Sequence, residues 1–104
     1  MGNDKIHVVL YTIPQEACDS KKMNWYDVAS LVKNQLATVF GEAVSFEHIE
    51  FMSQEWFDNK QAQSLLEKGE VNFPFVLVNS EVVCADKKVN LSRIRRFIQS
   101  EFHL

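Results

Sequence analysis

The sequence predicts an α/β fold in a single domain, with a four-stranded mixed sheet carrying helices on both faces in the order strand, helix, strand, helix, strand, strand, helix. Three observations carry that prediction. Apolar residues recur at three and four positions across two long stretches, the period of helices packed on a sheet. The first two strand-like runs flank one of these stretches, and a strand–helix–strand unit crosses over to a parallel neighbour. Pro74 then opens an apolar run that two turn residues fold back on itself, which adds an antiparallel pair.

Lys5 to Thr12 holds Ile6, Val8, Val9, Leu10 and Tyr11, a nearly continuous β-branched and aromatic run that ends before Pro14 and reads as a central strand. Residues 1–4 are expected to be disordered, and a polar loop follows the strand. From about Ser20 to Phe40 the positions Trp25, Val28, Leu31, Val32, Leu36, Val39 and Phe40 form the stripe of an amphipathic helix. Gly41 supplies its left-handed C-cap. Asn24 with Asp27 three residues on reads either as an N-cap or as part of a polar face, so the helix start is open by about a turn.

Ala43 to Phe51 pairs Val44 and Phe46 with Ile49 and Phe51, and its alternation changes phase near His48, as at a bulge or in a partly exposed edge strand. Ser53 can cap a second helix running through Trp56, Phe57, Ala62, Leu65 and Leu66 to Gly69. Pro74 has no backbone N–H to give, so it marks the first residue of a strand, and Phe75–Val78 fits burial on both faces. Asn79-Ser80 makes a two-residue turn, with Asn suited to positive φ although the preferred Gly is missing. A tight turn sets 78 against 81 and 75 against 84, which puts Cys84 at the Pro74 end. Asn90 caps a last helix, Leu91 to about Phe102, with Ile94, Phe97, Ile98 and Phe102 as its buried face.

The 104 residues leave no room for a second domain, and the net charge of −3 gives no nucleic-acid footprint and no membrane-surface patch. Lys21-Lys22, Lys87-Lys88 and Arg93/Arg95/Arg96 are short basic clusters that read as solvated surface. No segment approaches the roughly 20 apolar residues that cross a bilayer, and no apolar signal region follows the first residues, so a cytoplasmic location is expected. Two cysteines are not a secreted disulfide framework, and both are expected to be thiols. His7, His48 and His103 show no metal-ligand spacing, and no glycine-rich loop cradles phosphate.

Ligands of such sheets bind at the carboxyl ends of the parallel strands. There the loop Ile13-Pro14-Gln15-Glu16-Ala17-Cys18-Asp19-Ser20 leaves the first strand, Phe73-Pro74 enters the third, and Cys84-Ala85-Asp86 leaves the fourth. Cys18 starts the first helix or closely precedes it, where free amides, the dipole and Lys21-Lys22 favour a thiolate while Glu16 and Asp19 oppose it. It reads either as a nucleophile or as an unreactive loop cysteine. Cys84 reads as a small buried hydrophobe or as the thiol that resolves an oxidised Cys18. That pairing asks for Cα atoms within about 7 Å, against about 9–10 Å across two strand spacings.

Val8-Val9-Leu10-Tyr11-Thr12-Ile13-Pro14, a cysteine soon after, Phe73-Pro74 before the hairpin and Cys84-Ala85-Asp86 after it together resemble the thioredoxin superfamily, nearest to its glutaredoxin branch. The resemblance covers almost the whole chain as an order of elements. It implies a cis Phe73–Pro74 bond facing Cys18, and a substrate groove bordered by Pro14, Phe73, Pro74 and Asp86. The sequence also departs from the family. The paired-cysteine motif would need a cysteine at position 21, where Lys21 stands; the cluster-binding Cys-Gly-Phe-Ser motif is here Cys18-Asp19-Ser20-Lys21; and the glycine pair after the hairpin is absent. No cofactor is therefore expected. Two expectations follow: a single-cysteine redox protein acting on a protein thiol or disulfide through Cys18, or a non-catalytic module that holds a protein partner, the chain being a monomer or a weak homodimer.

Overall fold

The computed structural model describes residues 6–13, 25–84 and 91–102. Four strands, β1 (Ile6–Thr12), β2 (Val44–Glu50), β3 (Phe75–Val78) and β4 (Glu81–Cys84), form one mixed sheet in the order β2-β1-β3-β4. β1 and β2 are parallel, while β3 runs antiparallel to both β1 and β4. Helices α1 (Trp25–Phe40) and α4 (Leu91–Phe102) cover one face; α2 (Gln54–Asp58) and α3 (Lys60–Glu67) cover the other.

Because side chains alternate across a strand, β1 feeds two cores. Ile6, Val8 and Leu10 meet Ala29, Val32 and Leu36 of α1 and Ile94 and Ile98 of α4. Val9 and Tyr11 meet Trp56, Ala62, Phe75 and Leu77 on the opposite face. All of β3 is buried, as a strand between two covered faces must be.

The helix stripes differ in detail from the sequence reading. Leu31 and Val39 of α1 are exposed, and the small Ala29 takes a core position that periodicity in large residues passes over. Gly41 does adopt positive φ, 61°, directly after α1. Phe102 closes α4, and its side chain lies outside the described residues, as do Asn24, Asn90 and residues 1–4. The single helix expected from Ser53 to Gly69 is two. Asn59 leaves helical geometry at φ −106°, ψ 87°; its N–H closes α2 on the Trp56 carbonyl, and its side chain caps α3 by accepting from Ala62 N at 3.1 Å. Gln63 Nε2 donates to the Phe57 carbonyl next to the break and adds a second bond to the Trp56 carbonyl. Ser53 caps α2 as expected, whereas Phe57 faces solvent. Gly69, at φ 74°, ends α3 in a Schellman pair, Gly69 N to Leu66 O and Glu70 N to Leu65 O.

β2 is an edge strand without a bulge, in unbroken register with β1 from Ile6↔Val44 to Thr12↔Glu50. Its change of phase at His48 has a plain cause: Val44 and Phe46 serve the α1 face and Ile49 serves the other. The hairpin turn is tight, with φ 46° at Asn79 and 73° at Ser80, and Val78 faces Glu81. Further along, an irregularity between Val76 and Leu77 inserts Val83, so Cys84 stands opposite Val76 and not Phe75. Turn geometry fixes register only as far as the first bulge.

Candidate functional site

The carboxyl ends of β1 and β2 carry a polar cluster on the α1 face of the sheet. Phe51 N donates to Thr12 O at 2.8 Å, which carries the parallel pairing one residue past β2. Thr12 points to the α1 face and is wholly buried, so its hydroxyl must find a partner. It finds His48: Oγ1 and Nε2 lie 2.7 Å apart. The Tyr26 ring, near the start of α1, meets His48 edge-on at 5.7 Å, and its hydroxyl donates to Glu50 Oε1 at 2.9 Å.

Burial pulls the His48 pKa below its ordinary 6.5, and the Glu50 carboxylate only partly offsets this. At neutral pH the ring is therefore uncharged, able to accept a proton at one nitrogen and donate from the other. Among the described residues no three of His, Cys, Asp and Glu converge as metal ligands do.

The sequence-selected residues divide. Pro14 and Cys18 lie in the segment that follows Ile13, and Asp86 in the one that follows Cys84; all three fall outside the described residues. The Phe73–Pro74 bond is cis, and Pro74 is buried at the start of β3, whose Phe75 pairs with Tyr11 near the end of β1. Phe73 is half-buried in an aromatic cluster, its ring centroid 5.1 Å from Phe51, 5.6 Å from Trp56 and 5.3 Å from Phe75. Those contacts fix its position from three sides. Cys84 is buried in the core shared by α1 and α4, and β3 lies between its strand and β1.

The sequence reading missed Thr12, Tyr26 and Glu50 as site residues, and of His48 it noted only the change of phase in its strand and the lack of a metal-ligand spacing. A threonine ending a central strand was the available signal: a hydroxyl in a fully buried row needs a partner, and the parallel neighbour must supply it.

No family model and no curated protein matches the chain. Among solved structures it is similar to a Staphylococcus aureus protein of unknown function, at 19% sequence identity and a TM-score of 0.68 over 96% of this chain and 94% of that one. At that identity the likeness is one of fold, over nearly the whole length of both chains.

Proposed function

We propose that the chain is a thioredoxin-like protein of the glutaredoxin branch, which exchanges disulfides with a protein partner through the single nucleophile Cys18. What supports this reading is the position of the hairpin: β3, opened by Pro74, runs antiparallel beside β1 and begins at the carboxyl end of β1, the end from which the Cys18 segment continues. The element order, strand–helix–strand followed by helices, hairpin and helix, is the one the resemblance implies. A cytoplasmic, reducing setting belongs to the same reading.

In the exchange, the Cys18 thiolate attacks one sulfur of the partner's disulfide. That S–S bond breaks, a new one joins Cys18 to the partner, and the partner's second sulfur leaves as thiolate; a thiol of the reducing pool then displaces Cys18. Phe73 and Pro74, with Pro14 and Asp86, border the groove. Cys84 as resolving thiol would have to leave the core and close about 9–10 Å to the about 7 Å that a disulfide tolerates, so the reading rests on Cys18 first.

The test is to incubate the protein with a disulfide-bonded peptide and look by mass spectrometry for the mixed disulfide. Wild-type adduct at Cys18, absent from Cys18→Ser, supports the exchange; equal turnover by both proteins overturns it. The second reading, a binding module, is favoured by one observation: among the described residues β2 is an edge strand of the sheet, the position to which a partner strand can add. It predicts partner binding that Cys18→Ser leaves unchanged.

A further inference from the structure

His7, Ser45 and Glu47 form a second polar group, at the opposite end of β1 from the Thr12–His48 rim. In the parallel register His7 stands across from Ser45 and Val9 from Glu47, so the three side chains emerge together on the α3 face of the sheet. Ser45 Oγ lies 2.8 Å from His7 Nδ1, and Glu47 Oε1 lies 3.2 Å from His7 Nε2. The imidazole bridges a hydroxyl and a carboxylate through its two nitrogens.

These bonds have a direction. An ionised carboxylate only accepts, so Nε2 carries the ring proton and donates it to Glu47. Nδ1 of the neutral ring is then an acceptor, and the Ser45 hydroxyl donates to it. That is the polarity of a hydroxyl nucleophile, its base and the carboxylate that orients the base. The base is also held through its backbone: the His7 N–H donates to Asn79 Oδ1 at 2.7 Å, and the His7 carbonyl accepts from Asn79 N at 2.9 Å.

Two further features serve the same chemistry. Phe51 N bonds inward to Thr12 O, and backbone direction alternates along a strand, so the Phe46 N–H, next to Ser45, points off the edge of β2. No described residue accepts it, which leaves it to meet an oxygen that gains negative charge. His7 and Glu47 also line a groove of about 360 Å³, with room for a short acyl chain beside the base.

We propose that Ser45, His7 and Glu47 form an acyl-transfer site that hydrolyses small carboxylic esters. Ser45 Oγ attacks the carbonyl carbon while His7 Nδ1 takes the hydroxyl proton; the bond from that carbon to the alcohol oxygen breaks, and the alcohol leaves with the proton. Water then attacks the acyl–Ser45 ester, its proton passes through Nδ1 to Oγ, and the carboxylic acid departs. Glu47 touches no reacting atom and is a positioning residue that fixes the ring tautomer. An ester suits a site with a single outward N–H, since its alcohol leaves more readily than the amine of an amide. The chemistry does not depend on Cys18.

The experiment measures hydrolysis of p-nitrophenyl acetate and butyrate at pH 8 by the full chain carrying Cys18→Ser, which removes acylation of that thiol. The expected result is turnover above the buffer rate, reduced to the buffer rate by Ser45→Ala and roughly hundredfold by His7→Gln, the scale of a general base. Glu47→Gln should lower kcat and leave KM unchanged. Diisopropyl fluorophosphate should add to Ser45, located by peptide mass mapping, and should not add in His7→Gln. The His7 and Glu47 side chains are 48% and 43% exposed, so their replacement leaves the core intact. Turnover no faster than buffer, turnover that Ser45→Ala leaves unchanged, or a fluorophosphate adduct only at other residues would each overturn the proposal.

Discussion

Thr12 Oγ1 and His48 Nε2 meet at 2.7 Å, joining the carboxyl ends of the two parallel strands through their side chains as well as their backbones. The contact lets a hydroxyl sit in a fully buried row, and it holds the imidazole where water reaches it poorly.

That environment has a pH consequence. In the folded chain His48 titrates below 6.5, so as pH falls the unfolded chain takes up this proton first. Stability should fall as pH drops through 6.5 toward the folded value, and level off beneath it. Urea unfolding across that window should show the decline, and His48→Asn should flatten it. An NMR titration placing the His48 midpoint above 6.5 would reverse the sign.

Tyr11 works in the opposite direction on the alkaline side. Its folded pKa is about 12 against 10.0 unfolded, so its contribution is complete below pH 10 and is lost as pH rises toward 12. The loss is on the order of 2 kcal/mol if Tyr11 alone is counted. Comparing wild type with Tyr11→Phe in base denaturation isolates it: the variant should lose less stability between those limits.

Ser80 occupies φ 73° without being glycine, in a two-residue turn where the second position prefers glycine. Ser80→Gly should stabilise the chain by about 1 kcal/mol, the lower part of the left-handed penalty for a residue with a Cβ. The Gln61 bond to residue 80 uses the backbone carbonyl and survives the change. A lower urea midpoint in the variant would show that the turn holds serine for another reason.

Much of the fold was legible because burial on a sheet leaves a period in the sequence. β1, the all-apolar β3 and the Asn79-Ser80 turn follow from alternation, proline chemistry and turn preference. The Asn59 break did not show, since a side chain that caps one helix while its N–H closes another reads as an ordinary polar residue in a helical window. The Val83 bulge did not show either: in Glu81-Val82-Val83-Cys84 two adjacent apolar residues give no sign of which is the extra one. The rim was legible as a place, through the topology of parallel strands, but its polar cluster was not. Thr12, Tyr26, His48 and Glu50 come from three elements, and only tertiary contact makes them one group.

Cys84 separates packing from chemistry. It is buried beside Val83, Ile94 and Ile98, so Cys84→Ser places a hydroxyl among apolar groups and should cost about 1–3 kcal/mol in urea unfolding. If Cys84 only packs, alkylation of Cys18 in the variant proceeds at the wild-type rate; a changed rate would tie the two cysteines together.

The central claim is that Cys18 is a working nucleophile, and the pH dependence of its alkylation in the folded chain, resolved from that of Cys84 by mass spectrometry, tests it most directly. The account predicts a midpoint well below the ordinary thiol value of about 8.5. A midpoint at or above that value would contradict thiol exchange and leave the binding module as the reading to pursue.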